Sequence, residues 1–164
     1  MGKFLSHITC IITIFAGVLC SCSGDGCIDN QSSIPLAGFY STETLEPIAY
    51  NSIEIYGVGA ANNSSLTSLG ENTQQVYLPF RSTSNSTAFC FHYTDFGATN
   101  LYNDTIWFNY ESTPYFASEE CGAMYRYKIT STRHTSIFID SVAVTDPDIT
   151  NIDVERIKIF FKTY

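Results

Sequence analysis

Along most of the chain, apolar and polar residues alternate one by one. Ser52-Ile53-Glu54-Ile55-Tyr56 shows the pattern, and from Thr87 to Tyr93 it sets Phe89, Phe91 and Tyr93 against Cys90 and His92. Ile106, Phe108 and Tyr110 fall together, and Ile157, Ile159 and Phe161 alternate with Lys158 and Lys162. Tyr125, Tyr127 and Ile129 alternate with Arg126 and Lys128, which predicts a half-exposed strand. Successive side chains of a strand point to opposite faces, so this period of two in aromatic and β-branched residues predicts strands with one buried face. Ile137 and Ile139 change phase with Val142 and Val144 at Asp140-Ser141. Pro79 interrupts Val76 to Phe80; proline cannot donate to a ladder, so this run reads as an edge strand or a bulge.

Turn-forming clusters separate the runs, at Gly59 to Gly70, Arg81 to Ser86 and Asp95 to Asn100. No stretch carries an apolar stripe of helical period, and at most a turn or two of helix fits Ile149 to Arg156. The expected fold is all-β: an antiparallel β-sandwich of about seven to nine strands with little helix. The 12 Phe, 11 Tyr and single Trp suit a sandwich, which has two inner faces to fill.

The first residues break this pattern. Lys3 precedes an apolar run, Ile8 to Leu19, and then Leu19-Cys20-Ser21-Cys22. This looks like a bacterial lipoprotein signal. Ser21 to Asp25 ends the run short of the roughly 20 apolar residues that a spanning helix needs. Cys20 follows the bulky Leu19, whereas Cys22 follows the small Ser21, so Cys22 is the expected lipid site. Residues 1–21 then form the signal peptide, 22–35 a tether rich in Gly, Asp, Asn and Ser, and 36–164 the β-domain. The membrane is a partner through the lipid. Ser23 after Cys22 resembles lipoproteins sent on to the outer membrane. A single nearby acidic residue, Asp25, favours the periplasmic side over the cell surface.

Export also sets the redox state. Cys27, Cys90 and Cys121 remain after lipidation, enough for one disulfide and one thiol. Cys90, between Phe89 and Phe91, reads as a small core hydrophobe. Cys27 lies near the start of the mature chain and Cys121 in the turn Glu119-Glu120-Cys121-Gly122, and the two are expected to pair. The net charge of −8 repels nucleic acid.

Candidate chemistry is sparse. Gly57-Val58-Gly59-Ala60-Ala61-Asn62 lacks the third glycine of a dinucleotide loop and reads as a strand-ending turn. Asp146, Asp148 and Asp153 are weak metal candidates, but glycine and a carboxylate are missing where a calcium loop needs them; the alternative is a loop turned by side-chain-to-backbone bonds. Cys90 and His92 share a strand face, and with His134 they suggest a dyad or metal site, against which stands the apolar setting of Cys90. Asp104-Thr105-Ile106 and Asp140-Ser141-Val142 resemble the short sites where Bacteroidetes add O-glycans. Trp107 and Tyr56, opposite in parity to the apolar residues beside them, are expected to point outward and to bind a ligand. No catalytic constellation stands out, and no cofactor is expected.

Four segments together carry a resemblance. They are Ile55-Tyr56-Gly57-Val58-Gly59, Leu78-Pro79-Phe80, Phe116-Ala117-Ser118-Glu119-Glu120-Cys121-Gly122 and Ile157-Lys158-Ile159-Phe160-Phe161. In this order they resemble a family of small uncharacterised lipoproteins of Bacteroidales. The resemblance implies organism type and anchoring, with no activity attached. The expected function is that of a lipid-anchored envelope protein, non-enzymatic, that binds or supports another envelope protein; the alternative is a glycan-binding accessory lipoprotein.

Overall fold

The alternating runs form strands that stack as two sheets. The computed structural model describes residues 32–96, 102–119 and 122–163. Nine strands are present among them: β1 (Leu36–Ser41), β2 (Ile53–Gly57), β3 (Gln75–Tyr77), β4 (Ser86–Tyr93), β5 (Asp104–Ser118), β6 (Gly122–His134), β7 (Ile139–Val144), β8 (Asp148–Ile149) and β9 (Glu155–Phe161). One sheet has the order β3-β1-β9-β7, and the other β2-β4-β5-β6-β8. The expected all-β sandwich is therefore formed. Cys22, Cys27 and Cys121, and with them the expected lipid site and disulfide, lie outside the described residues. Ser33 and Pro35, assigned above to the tether, are already buried.

The inner faces supply the core. Phe39, Ile159 and Phe161 come from one sheet, and Ile55, Phe89, Phe91, Ile106 and Phe108 from the other, each at most 1% exposed. These are the residues that the period of two places together. Phe80 stacks on Tyr110 with ring centroids 4.4 Å apart and meets Tyr127 edge-on at 5.6 Å.

Some expectations are corrected. β1 shows no apolar–polar alternation because its buried face carries Ala37, Phe39 and Ser41 while its half-exposed face carries Leu36 and Tyr40. It pairs in parallel with β9, Ala37 opposite Ile157 and Phe39 opposite Ile159, whereas the other strand pairs run antiparallel. No helix forms at 149–156: Ile149 is drawn into β8 opposite Tyr127. Single 3-10 turns occur at Ala61–Asn63 and Thr94–Phe96 instead. The phase change at Asp140-Ser141 is a register shift between β7 and β9.

Asp104 opens β5 and is fully buried. Its Oδ1 accepts from Thr135 Oγ1 at 2.7 Å and Ile137 N at 2.9 Å. Its Oδ2 accepts from Phe138 N at 2.7 Å, Ile139 N at 2.9 Å and the Tyr93 hydroxyl at 3.1 Å. One carboxylate thus satisfies the backbone donors of the crossing from β6 to β7, which would otherwise be buried unpaired. Asp104 and Ile106 are buried, whereas Thr105 between them faces the outer side of the sheet and is half-buried. Burial, and then the Asp104 charge, raise the Tyr93 phenol above its ordinary range.

β5 and β6 outrun their neighbours. Pairing with β4 ends at Ser86 opposite Asn109, and β8 meets only Tyr127 and Lys128. Beyond these points the two strands pair with each other alone, as an arm. Pro114 is accommodated because this stretch of β5 has a free edge. Tyr125 does not share the burial of Tyr127 and Ile129; it is 41% exposed because the hairpin has passed the end of the facing sheet. On the opposite side of the arm Met124 is buried, and the Tyr115 hydroxyl reaches Asn151 Oδ1 at 3.4 Å.

Candidate functional site

The outer face of the five-stranded sheet gathers the expected ligand residues. Cross-strand partners share a face, so the register fixes the arrangement. Tyr56 of β2 stands opposite Cys90 of β4, which stands opposite Thr105 of β5. In the next row Ala88 stands opposite Trp107, and Trp107 opposite Arg133 of β6. Small side chains, Ala88, Cys90 and Thr105, therefore make a low floor between Tyr56 and Trp107. Both aromatics point outward as expected, and both are half-buried. The Arg133 guanidinium lies 3.9 Å from the centre of the Trp107 ring, a cation–π contact that covers one ring face.

A cleft of about 310 Å³ opens beside Tyr56 and is lined by Cys90, Asn103 and Thr105. His92 Nδ1 meets Asn103 Oδ1 at 2.7 Å. The Tyr56 hydroxyl bonds the Cys90 sulfur; this bond first, then burial and the nearby charges, push the Tyr56 phenol up to about 12. Burial raises the Cys90 thiol, while bonds from Tyr56 and Asn103 pull it partly back. A raised thiol stays protonated at neutral pH and is a poor nucleophile. His92 spends Nδ1 on Asn103. His134 stands opposite Ile106 with its Nδ1 bonded to the Thr135 carbonyl. The structure therefore joins Cys90, Tyr56, His92 and Asn103, and leaves His134 out.

The polar surface continues along the same face. An open hollow of about 920 Å³ is lined by Ser82 to Asn85, Asn109, Glu111 and Thr130. Thr130 is the extra residue of a bulge, since Asn109 pairs with Ser131 and Tyr110 with Ile129. Glu111 also borders a third hollow of about 460 Å³, with Arg126, Lys128 and Asp148.

The three aspartates weighed as metal ligands have separate partners. Asp146 pairs with Arg156 and accepts the Asp148 amide at 3.0 Å, the side-chain-to-backbone turn expected for such a loop. Asp153 accepts the Tyr77 hydroxyl at 2.8 Å. Asp148 lies on β8 opposite Lys128. Among the described residues, no three His, Cys, Asp or Glu side chains are grouped to hold a metal. The three carboxylates are spread between a loop turn, the start of β8 and the approach to β9.

Arg133 and Asn103 were not foreseen. Arg133 lies beyond the clean alternation of 125–129, and Asn103 lies just ahead of β5. Extending the strand phase across the Thr130 bulge would have found Arg133.

No curated protein and no solved structure matches the chain. The matching family model covers residues 52–161, from the start of β2 to the end of β9, and takes in Tyr56, Cys90, Trp107 and Arg133. The chain belongs to this family, a family of unknown function (DUF6452).

Proposed function

We propose that the protein is a lipid-anchored, non-enzymatic module of the cell envelope that holds another envelope protein through the outer face of its five-stranded sheet. One observation carries the reading: Trp107, Arg133 and Tyr56 stand together over a floor of small residues. Trp, Tyr and Arg dominate the energetics of protein interfaces when they flank such a depression. The N-terminal pattern supports the anchor, with the signal removed before an acylated Cys22 at the outer membrane. It also supports an oxidising compartment in which Cys27 and Cys121 pair.

The test is site-specific photo-crosslinking in the native organism from position 88, with the captured protein identified and its binding to purified protein measured. Trp107→Ala and Arg133→Ala are expected to weaken binding by about 2 kcal/mol or more and to leave the melting temperature nearly unchanged. A folded Trp107→Ala protein with full binding removes this face from the interaction. Mass spectrometry of the mature N-terminus should find lipid on Cys22, and a Cys22→Ala protein retained in membranes at normal levels would count against the anchor.

A second reading, binding of a glycan, draws on the hollow beside Asn109 and Glu111, whose hydroxyl and amide lining suits sugar hydroxyls. Retention on a glycan array that Glu111→Gln and Asn109→Ala abolish, and Trp107→Ala does not, favours this alternative.

A further inference from the structure

The two sheets part at the end of the sandwich where β2 begins and β4 and β9 end, and a hollow of about 340 Å³ opens there. Its lining is largely aromatic, from Tyr50, Tyr93, Phe96 and Phe138. The rings run on from the core to the solvent. Tyr50 packs on Phe161 with centroids 4.8 Å apart, and Phe138 packs on Tyr93 at 4.5 Å. Phe96 stacks on Phe138 at 5.1 Å, 24° from parallel, and is 46% exposed. The Tyr93 hydroxyl is committed to Asp104, so what this side chain has left for a ligand is its ring.

Two opposite charges line the same hollow. Asp95 lies in the 3-10 turn after β4, and its Oδ2 accepts from the Ser52 hydroxyl at 2.5 Å. Lys162 follows β9. Its Nζ donates to the carbonyls of Ser136 at 2.6 Å and Ile137 at 3.3 Å, and an ammonium has a third N–H for another acceptor. Both charges are thus held by bonds to the fold, yet among the described residues they are not paired with each other. Side chains already held in place cost a ligand less ordering than mobile ones.

We propose that this mouth of the sandwich binds a free amino acid with an aromatic side chain. The ring packs against Phe138, Phe96 and Tyr50, the α-ammonium pairs with Asp95 and the α-carboxylate pairs with Lys162. Ring-on-ring contact adds to the gain from burial. The zwitterion answers both charges, whereas a purely cationic ligand meets Lys162 and a purely anionic one meets Asp95; like charges set side by side are costly. The volume lies at the small end of the range of about 300–1,000 Å³ for ligand pockets, which suits a molecule of this size. The site stands apart from the outer face that carries Tyr56 and Trp107 and takes a different kind of ligand.

An NMR titration of the full-length protein with L-phenylalanine and L-tryptophan tests this. Saturable shifts are expected at the amides of Ser52, Asp95, Phe96, Phe138 and Lys162. Phenethylamine and 3-phenylpropionate each lack one charge, and leucine lacks the ring; all three are expected to bind about tenfold more weakly or worse. Two variants separate the charges from the fold. Asp95→Asn should weaken phenylalanine binding and bring 3-phenylpropionate level with it, and Lys162→Gln should do the same for phenethylamine. No saturable binding at millimolar concentration overturns the proposal. So does leucine, or either one-charge analogue, bound as tightly as phenylalanine by the wild-type protein. Full affinity in both variants, or shifts centred on Trp107 instead of this mouth, overturns it equally.

Discussion

Asp104 accepts five hydrogen bonds in a fully buried position. In Asp104→Asn, an amide group is forced toward backbone N–H groups that need an acceptor. A loss of about 3–5 kcal/mol is expected, read from urea unfolding; a loss below about 1 kcal/mol would show that the crossing does not depend on the carboxylate. Tyr56 offers a milder test. Its phenol is raised from the ordinary 10.0 to about 12, first by the bond to Cys90. The native state therefore favours the neutral phenol more than the unfolded chain does. That stability is complete below pH about 10 and is lost as pH climbs toward 12. Tyr40, raised to about 12 chiefly by its bond to Glu155, adds to the same alkaline loss. Phenolate absorbance should show Tyr56 ionising nearer its ordinary value in Cys90→Ala, and an unshifted titration would exclude the thiol as the cause. Parity alone made the outward aim of Tyr56 and Trp107 legible, because a strand gives its side chains two directions only. The clasp at Asp104 was not legible: four of its five donors come from residues some thirty positions later, and nothing local marks a carboxylate as buried.

Among the elements, the β5–β6 hairpin departs furthest from what alternation implies. Alternation fixes which residues share a face but not whether anything covers it. Tyr125 and Tyr127 share a face, yet only Tyr127 lies beneath the opposing sheet. Bulges hide register in the same way: Thr130 adds one residue to β6, and the phase of Arg133 follows only once that residue is counted. The hairpin closes through Gly122, whose φ of 69° falls in the left-handed region. Gly122→Ala is expected to strain the turn by about 1 kcal/mol. Exchange should quicken from Tyr115 to Met124 and stay slow in the part of β5 paired with β4, because the arm lies outside the sandwich. Equal quickening throughout would mean that the arm and the core open as one unit.

At the scale of the whole molecule, the two described ends of the chain meet in one sheet. β1 lies between β3 and β9 and contributes Ala37 and Phe39 to the core. The region matched by the family model starts at residue 52 and leaves β1 out. A fragment of residues 52–161 is therefore expected not to fold, since β3 would lose its neighbour and the edge of β9 would stand open over an emptied core. Dispersed amide resonances from that fragment would show the first strand to be dispensable. β1 escaped the sequence pattern because a polar Ser41 sits on its buried face and an apolar Leu36 and an aromatic Tyr40 on its half-exposed one, so polarity does not follow the period of two. The parallel pairing of β1 with β9 has a mechanical consequence. The chain enters β1 at one end of the sandwich and leaves β9 at the other. A pull between an N-terminal attachment and a load held at the C-terminal side runs along both strands. It loads the ladder from Leu36 to Ser41 in shear, every bond at once, instead of opening the bonds one by one. Unfolding under force then waits on the concerted loss of that ladder, which makes the fold well suited to bearing tension along the line that joins its two ends.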